Sequence, residues 1–307
     1  MLHELGTMPR VERFDEPVPG RGELVLDVLA AGVNHLDLGK ASGRFYGDTP
    51  ALPAVVGTDG VGRDPDGRRV YFDETIAPFG AYAERTLVDR EHLVAVPDGV
   101  SDEAAAVLGN AGVAAMTALS WRGRLQAGES VLVLGATGAV GHLAVQLARL
   151  LGAGRVVAVG RDAERLERLR ALGADDALDL DDHADPGARL AAAGAPFDLI
   201  VDLLWGTPAI TAMGAAASGA RLIQLGQLAG AEVTLPAALL RSRMLTLHGL
   251  AGVNVAAPVR SDAYAQVTAF AAAGELDVDF ERVALDDIAG TWVRQQRLIG
   301  VKMVVVP

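Results

Sequence analysis

The feature that most constrains the fold is a short apolar strand that runs directly into a glycine-rich turn. The strand Val131–Leu134 is followed by Gly-Ala-Thr-Gly-Ala-Val-Gly at 135–141, which opens a helical pattern. Glycines permit a tight turn and the close approach of a pyrophosphate, and the helix N-terminus offers free amides and a partial positive charge. This context predicts dinucleotide binding; the alternative is a turn that only lets the helix pack closely on a sheet. The predicted contact residues of the turn are Thr137, Gly138, Ala139 and Val140.

Around this turn, strands alternate with helical patterns from Ser130 to Leu247, which predicts a parallel sheet covered by helices on both faces. The predicted strands are Val131–Leu134, Arg155–Val159, Asp176–Leu178, Leu199–Asp202, Arg221–Leu225 and Leu245–Leu247. In the helix after the first strand, Leu143 and Leu147 fall on one face and His142, Gln146 and Arg149 on the opposite one. We therefore expect this helix to pack on the sheet through its apolar face. The fold class is α/β, with a doubly wound Rossmann-type sheet.

The remaining chain has a different pattern. Residues up to about Pro97 form short apolar runs closely punctuated by glycine and proline, which predicts a mostly β domain. Ser101 then caps an alanine-rich helix. The tail ends in a short strand, Lys302–Pro307, which suggests that it rejoins the first domain. The predicted boundaries are 1–105 for the first part of the β domain, 106–249 for the cofactor domain and 250–307 for the completing part.

Charge and composition exclude several functions. The 27 basic and 39 acidic residues give a net charge of −12, which disfavours sequence-independent binding of nucleic acid or anionic lipid. The chain has no cysteine, and so no thiolate metal ligand, disulfide or cysteine nucleophile. Met1–Pro17 holds no apolar run long enough for a signal peptide, and Met244–Val259 is too short to cross a membrane. We expect a cytoplasmic protein with no membrane or nucleic-acid partner.

The end of the second strand predicts the cofactor. An acidic residue at this tip would bind the ribose hydroxyls of NAD, whereas here Gly160 is followed by Arg161, with Arg165 one turn further. A guanidinium suits a 2′-phosphate by charge and bidentate geometry, which favours NADPH. Asp162 is the rival, although two residues past the strand it is well placed to cap the next helix. A merely solvated arginine is the other alternative.

These segments together resemble the medium-chain dehydrogenases/reductases, most closely the zinc-independent quinone oxidoreductase and enoyl reductase branch. The likeness extends over nearly the whole chain. It is carried by Ala31-Gly-Val-Asn-His-Leu-Asp37, Leu52-Pro-Ala-Val-Val-Gly-Thr-Asp-Gly-Val-Gly62, Ala127-Gly-Glu-Ser-Val-Leu-Val133, the turn 135–141, Leu172-Gly-Ala-Asp175 and Ile299-Gly-Val-Lys302. The resemblance implies a GroES-like catalytic domain, a nicotinamide bound between the domains, and a homodimer.

The resemblance also assigns site residues. The catalytic zinc ligands of related alcohol dehydrogenases match Asn34, Thr58 and Asn110, none of which is a thiolate, imidazole or carboxylate. This implies that the chain holds no catalytic metal. Tyr46 matches a tyrosine presented to the substrate, as a phenolic donor or as an aromatic lid. The resemblance further implies that Asn34 contacts the nicotinamide ribose or amide. Leu225, Gly226 and Gln227 are then expected near the nicotinamide.

The expected reaction follows from the missing metal. Conjugate hydride addition spreads the developing negative charge over a π system, whereas simple carbonyl reduction needs another way to stabilise an oxyanion. We therefore expect an NADPH-dependent oxidoreductase that reduces an activated C=C or a quinone, such as an enone or related conjugated carbonyl. The alternatives are a zinc-free ketone or aldehyde reductase, and a catalytically silent NADPH-binding protein.

Overall fold

A computed structural model describes residues 1–45, 51–181, 185–297 and 300–307. The chain divides into two compact units, the first formed by Met1–Asn110 with Tyr264–Pro307, and the second by Ala111–Ala263. These divisions lie further along the chain than residues 105 and 249, where the sequence suggested boundaries. Continuous helical backbone runs through both of them, so that neither falls in a loop.

The strands are numbered along the chain. They are β1 (Glu23–Gly32), β2 (Gly60–Arg63), β3 (Arg69–Phe72), β4 (Arg85–Asp89), β5 (Val94–Ala95), β6 (Ser130–Leu134), β7 (Arg155–Gly160), β8 (Asp176–Asp179), β9 (Phe197–Asp202), β10 (Ala216–Gln224), β11 (Thr246–Gly249), β12 (Phe280–Ala284) and β13 (Lys302–Val306). The α-helices are α1 (His35–Ala41), α2 (Asp102–Val107), α3 (Val113–Met116), α4 (Ala139–Leu150), α5 (Ala163–Ala171), α6 (Pro186–Ala192), α7 (Gly206–Gly214), α8 (Ala237–Arg243), α9 (Ala257–Ala272) and α10 (Ile288–Gln296).

The first unit is built on a mixed sheet. Its strand order is β12-β13-β1-β2-β3-β5, with β4 paired to β1. The final strand β13 pairs antiparallel with β1, with Ala31 opposite Val305. Leu26, Phe72 and Met303 are fully buried in its core. The C-terminal strand β13 therefore belongs to the same sheet as the N-terminal strand β1.

The second unit is a parallel sheet with the order β11-β10-β9-β6-β7-β8. The chain builds outward from β6 through β7 to β8, then returns to the other side of β6 and continues through β9 to β11. The order thus reverses between β6 and β9, which is the topological switch point of a doubly wound fold. The predicted α/β fold class and the alternation of strands and helices are confirmed.

The packing of helix α4 corrects one prediction. His142 and Gln146, expected on a polar outer face, are buried, and the Gln146 amide donates to the His142 carbonyl at 3.2 Å. The reason is that α3 packs against α4, so the face turned away from the sheet is covered as well. Of the three polar residues expected on the outer face, Arg149 alone keeps a partly exposed side chain, and its guanidinium donates to the Gly173 carbonyl.

Ser101 begins a long helical run as predicted, since its hydroxyl accepts from the Ala104 amide at 3.2 Å. This run, Asp102–Arg122, is a longer weakly charged segment than Met244–Val259. Within the described residues it is the one helix long and apolar enough to cross a membrane by length and composition, but most of it is buried. Such burial is typical of a core helix, so the segment is weak support for a membrane span.

Candidate functional site

The glycine-rich turn joins β6 to α4, and two of its glycines are required by the fold. Gly135 has φ of +82°, in the region that disfavours side chains, and a methyl group there would lie 3.1 Å from Leu203 Cβ. A methyl group at Gly141 would lie 2.3 Å from the Gly135 carbonyl oxygen. The backbone at both positions thus lies too close to its surroundings to accept a side chain without a shift.

Gly138 differs from these two glycines. It has φ of −88°, which any residue adopts, and a methyl group there would meet only the Gly135 carbonyl oxygen at 3.6 Å, an ordinary contact. Gly138 also caps α4 and has no side chain to accept hydrogen bonds from the first helical amides. Ala139 and Val140 form the first helical positions. The chain thus leaves space at the helix N-terminus, and this arrangement fits a pyrophosphate bound to free amides.

Thr137 is held from two sides. A methyl group at Gly160, the last residue of β7, would lie 2.4 Å from Thr137 Cγ2, so glycine is needed there. The Arg165 guanidinium donates through Nε to the Thr137 carbonyl at 2.8 Å. The end of β7 and the start of α5 therefore fix the shape of the turn.

The two arginines beyond β7 have different environments. Arg161 is exposed and makes no hydrogen bond or ion pair to the residues that the structure describes. Arg165 is half-buried, and its Nε is used by Thr137. Asp162 caps α5, since its Oδ1 accepts from the Arg165 amide at 3.1 Å, as expected. Arg161 is thus the guanidinium available at the strand tip, while Arg165 braces the turn.

Asp202, which the sequence did not single out, organises the neighbouring strand ends. Its backbone oxygen accepts from the amides of Leu225 and Gly226 at 2.8 and 3.3 Å. A methyl group at Gly226 would lie 2.5 Å from the Leu203 oxygen, so the segments touch, whereas Gln227 is exposed. The Asp202 side chain is fully buried, and burial raises its pKa. A carboxylate ending a buried strand is the signal that could have identified it.

In the first unit, Asn34 lies within a buried polar network. Its amide Nδ2 donates to Asp59 Oδ1 at 2.6 Å and to the Gly32 carbonyl at 3.0 Å, and its Oδ1 accepts from the Lys302 ammonium. Both amide protons are therefore used within the chain. Only one lone pair of Oδ1 is left for a ligand, so any contact made by Asn34 with a ribose hydroxyl or an amide would be as an acceptor.

The sequence did not single out Asp59 or Lys302 as a pair. Asp59 is 1% exposed and also accepts from Tyr71 at 3.3 Å. Burial raises the pKa of Asp59 to about 7, and the Lys302 charge opposes this rise. Burial lowers the pKa of Lys302, which is 7% exposed. Lys302 is the one charged residue of an apolar strand, and this is the signal that could have drawn attention to it.

The positions that match zinc ligands are engaged in the same network. The Thr58 hydroxyl donates to Asp37 Oδ1 at 2.7 Å, and the backbone N–H of Asn110 donates to Asp59 Oδ2 at 3.1 Å. Asp37 also accepts from the Tyr82 hydroxyl at 2.7 Å, so it binds two hydroxyl groups within the first unit. Among the residues that the structure describes, no group of three histidine, cysteine or acidic side chains is placed to bind a metal.

Two residues remain to be described: Tyr46, which the resemblance assigned, and His35, which follows Asn34 in the sequence. Tyr46 lies outside the described residues, so its role as a phenolic donor stays a prediction. His35 begins α1 with an exposed side chain; packing of the surrounding protein, together with the Lys302 charge, lowers its pKa.

Comparison with known proteins establishes the family. A family described as zinc-binding dehydrogenase matches residues 139–273, a segment that excludes Asn34, Thr58 and Asn110. The solved quinone oxidoreductase of Thermus thermophilus, also solved with NADPH, has a TM-score of 0.80 and 29% identity, over 100% of this chain and 98% of that chain. The chain belongs to the medium-chain dehydrogenases/reductases. The predicted resemblance to the quinone oxidoreductase members of this family is confirmed.

Curated relatives extend the comparison. A phenolphthiocerol/phthiocerol polyketide synthase of Mycobacterium tuberculosis is 32% identical over 218 residues, which cover 68% of this chain and 10% of that protein. The chloroplastic NADPH-dependent alkenal/one oxidoreductase of Arabidopsis thaliana is 34% identical over 173 residues, covering 51% of this chain and 45% of that protein. The match thus spans about a tenth of the synthase and less than half of the alkenal/one oxidoreductase.

Proposed function

We propose that this medium-chain dehydrogenase/reductase uses NADPH to reduce an electron-poor C=C bond or a quinone without a metal ion. The observation that carries the proposal is the space above Gly138 at the start of α4, where no side chain caps the helix, together with the unengaged guanidinium of Arg161. The first fits a pyrophosphate, and the second fits a 2′-phosphate. The Thermus thermophilus structure with NADPH and the named Arabidopsis thaliana enzyme support the same cofactor.

The residues that would hold the cofactor belong to the second unit. Amides of the turn 135–141 would bind the pyrophosphate, and Arg161 would bind the 2′-phosphate. The segment Leu225–Gln227, tied to Asp202, would support the nicotinamide end. When bound, NADPH supplies the hydride. The chain then has to orient the acceptor and provide a proton.

The choice of acceptor rests on the residues at the zinc-ligand positions. The amides and hydroxyl of Asn34, Thr58 and Asn110 are poor zinc ligands. An acceptor that delocalises its developing charge has less need of a Lewis acid, which favours enones, quinones and related conjugated carbonyls. We propose that Tyr46 orients the acceptor oxygen or delivers the proton, as the family resemblance implies. We also propose a cytoplasmic homodimer.

A panel assay tests the reaction class. NADPH oxidation is measured with quinones, enones and simple ketones, and turnover is expected with the first two classes. Turnover confined to simple ketones would instead identify a zinc-free carbonyl reductase. Tight NADPH binding without turnover on the whole panel would indicate a catalytically silent binding protein.

We expect Arg161→Ala to weaken NADPH binding by roughly 10- to 100-fold, because charge-assisted hydrogen bonds to a phosphate are lost. NADH affinity should change by less than about twofold, because NADH lacks the 2′-phosphate. Dissociation constants for both dinucleotides, measured by calorimetry, check the prediction. Arg241→Ala is a matched control, since this arginine of α8 is exposed and makes no ion pair to the described residues. Equal losses for NADPH and NADH would refute the assignment.

We expect Tyr46→Phe to lower turnover by roughly 100-fold, the lower end of the range for loss of a positioned proton donor. NADPH affinity should stay unchanged, because the phenol is proposed to face the acceptor. Steady-state kinetics with a quinone and an enone, combined with NADPH titration, measure the two effects separately. A fully active variant would show that the hydroxyl is dispensable and would leave the aromatic ring as a lid.

A further inference from the structure

The turn that follows β9 contains a strained tryptophan. Trp205 has φ of 57° and ψ of −159°, a combination that is close to the region occupied almost only by glycine. By contrast, Met244, another residue with positive φ, has ψ of 41° and lies in the ordinary left-handed region. A large side chain at a glycine-type position costs stability. Strain of this kind is concentrated at functional sites, where other contacts sustain it.

A buried carboxylate holds Trp205 in this conformation. Asp202 Oδ1 accepts from the amides of Leu204 and Trp205, both at 2.9 Å. The second oxygen of this carboxylate is buried and has no hydrogen-bond partner among the described residues. Gly206, which follows, also has positive φ, at 64°. Hydrogen bonds to a buried carboxylate therefore hold the turn in this conformation.

The turn lies where a ligand of this fold is expected. It leaves the carboxyl end of β9 beside β6, at the point where the strand order reverses, and open α/β sheets bind ligands outside that point. Leu203 contacts Gly135 of the glycine-rich turn, and Asp202 binds the amides of Leu225 and Gly226. Trp205 thus follows within three positions of Asp202 and Leu203, the residues beside the two proposed cofactor-binding segments, the turn 135–141 and Leu225–Gln227.

We propose that Trp205 is a ligand-contacting, specificity-determining residue whose indole packs against a flat, electron-poor conjugated ring, either the nicotinamide or the acceptor. Its indole is half-buried at the margin of the second unit's core, so part of its surface is uncovered. A glycine would relieve the backbone strain but would offer no aromatic surface. Aromatic rings pack favourably in offset or edge-on geometry against other rings. This inference rests on the proposed function and specifies which side chain contacts the ring.

The test compares Trp205→Gly with Trp205→Ala, because both lack the indole and differ only in how they tolerate the backbone. Without cofactor, the glycine variant should melt roughly 2 to 6 °C above the alanine variant, the reverse of the usual order for these residues. Both variants should bind the ligand that carries the ring, NADPH or the acceptor, about 3- to 10-fold more weakly, as expected when an aromatic contact is removed. Trp205→Phe should retain most of the affinity. Trp121→Ala, at an exposed tryptophan of the same unit, is the matched control and should bind as the wild type does.

Two measurements separate the possible rings. A weaker NADPH dissociation constant without acceptor identifies the nicotinamide, whereas an unchanged constant with a raised KM for a quinone identifies the acceptor. If both variants bind NADPH and acceptor as the wild type does, the proposed contact is wrong. If the alanine variant melts as high as the glycine variant, the strain is absent and the inference fails. Failure of the wild type itself to bind NADPH would overturn the proposed function together with this inference.

Discussion

We expect Lys302→Met to destabilise the protein by roughly 3–5 kcal/mol, because it leaves buried carboxylates without their counter-charge. The Lys302 ammonium donates a hydrogen bond to Asn34 Oδ1, and the positive charge of Lys302 opposes the rise in the pKa of Asp59. Methionine has a similar length and fills much of the same volume, so the loss comes from charge and not from a cavity. The melting temperature should fall by on the order of 10 °C, as measured by calorimetry.

The stability lost in Lys302→Met should increase as the pH rises. The pKa of Asp59 is raised from an ordinary value near 3.8 to about 7 in the folded protein. Between these values the folded state holds the proton more tightly than the unfolded state, so this group lowers stability as the pH rises. Without Lys302 the pKa of Asp59 rises further. The variant should therefore lose more stability than the wild type between pH 5 and about pH 8.

Two further variants separate charge from packing. Lys40→Met is the matched control, because Lys40 is the chain's other lysine, is only partly buried and lies 3.5 Å from the Thr58 hydroxyl. It should melt within a few degrees of the wild type. Adding Asp59→Asn to Lys302→Met removes both charges and should recover about half of the loss. A Lys302→Met protein with unchanged stability at pH 8 would show that the buried pair contributes nothing.

Local patterns were sufficient to predict the second unit. The apolar strands, the glycine-rich turn and the capping residue Asp162 each depend on neighbours within a few positions, and the structure has all of them, although β10 begins at Ala216, five residues before its predicted start. The parallel direction of the strands was predicted from their alternation with helices. Burial of His142 and Gln146 was not predicted, because it depends on α3, which packs there only in the folded protein.

The polar network of the first unit could not be predicted in the same way. Lys302 reaches Asn34 across 268 positions in sequence, and Asn34 reaches Asp59 across 25. No local periodicity connects such residues. The structure also restricts Asn34 to an acceptor role, because its amide protons are already used. The family resemblance supplied the position of Asn34 but not this constraint.

The division of roles between the arginines likewise required the fold. By sequence alone Arg161 and Arg165 are equivalent candidates for a 2′-phosphate. Only the contact of Arg165 with the Thr137 carbonyl shows that it also supports the turn. The strain at Trp205 is similarly invisible, because nothing in its neighbours indicates a backbone that favours glycine.

Gly138→Ala should weaken NADPH and NADH alike, by roughly 10- to 100-fold, because a methyl group would stand between the helix amides and the shared pyrophosphate. The equal effect on both dinucleotides distinguishes this variant from Arg161→Ala. Stability should change by less than about 1 kcal/mol, since the added carbon meets only an ordinary 3.6 Å contact. Calorimetric titration and thermal melting of one preparation measure both quantities.

Gly141→Ala, three residues further, is the contrasting variant. Its methyl group would lie 2.3 Å from the Gly135 oxygen and 2.6 Å from Ala136 Cα, and backbone atoms there cannot move without shifting β6 or α4. Overpacking of this kind should lower the melting temperature by roughly 5–10 °C. If Gly138→Ala bound both dinucleotides as the wild type does, the pyrophosphate would lie elsewhere, and both glycines would serve only the packing of helix on sheet. A folded Gly138→Ala protein that fails to bind either dinucleotide would establish that this glycine is kept for the ligand.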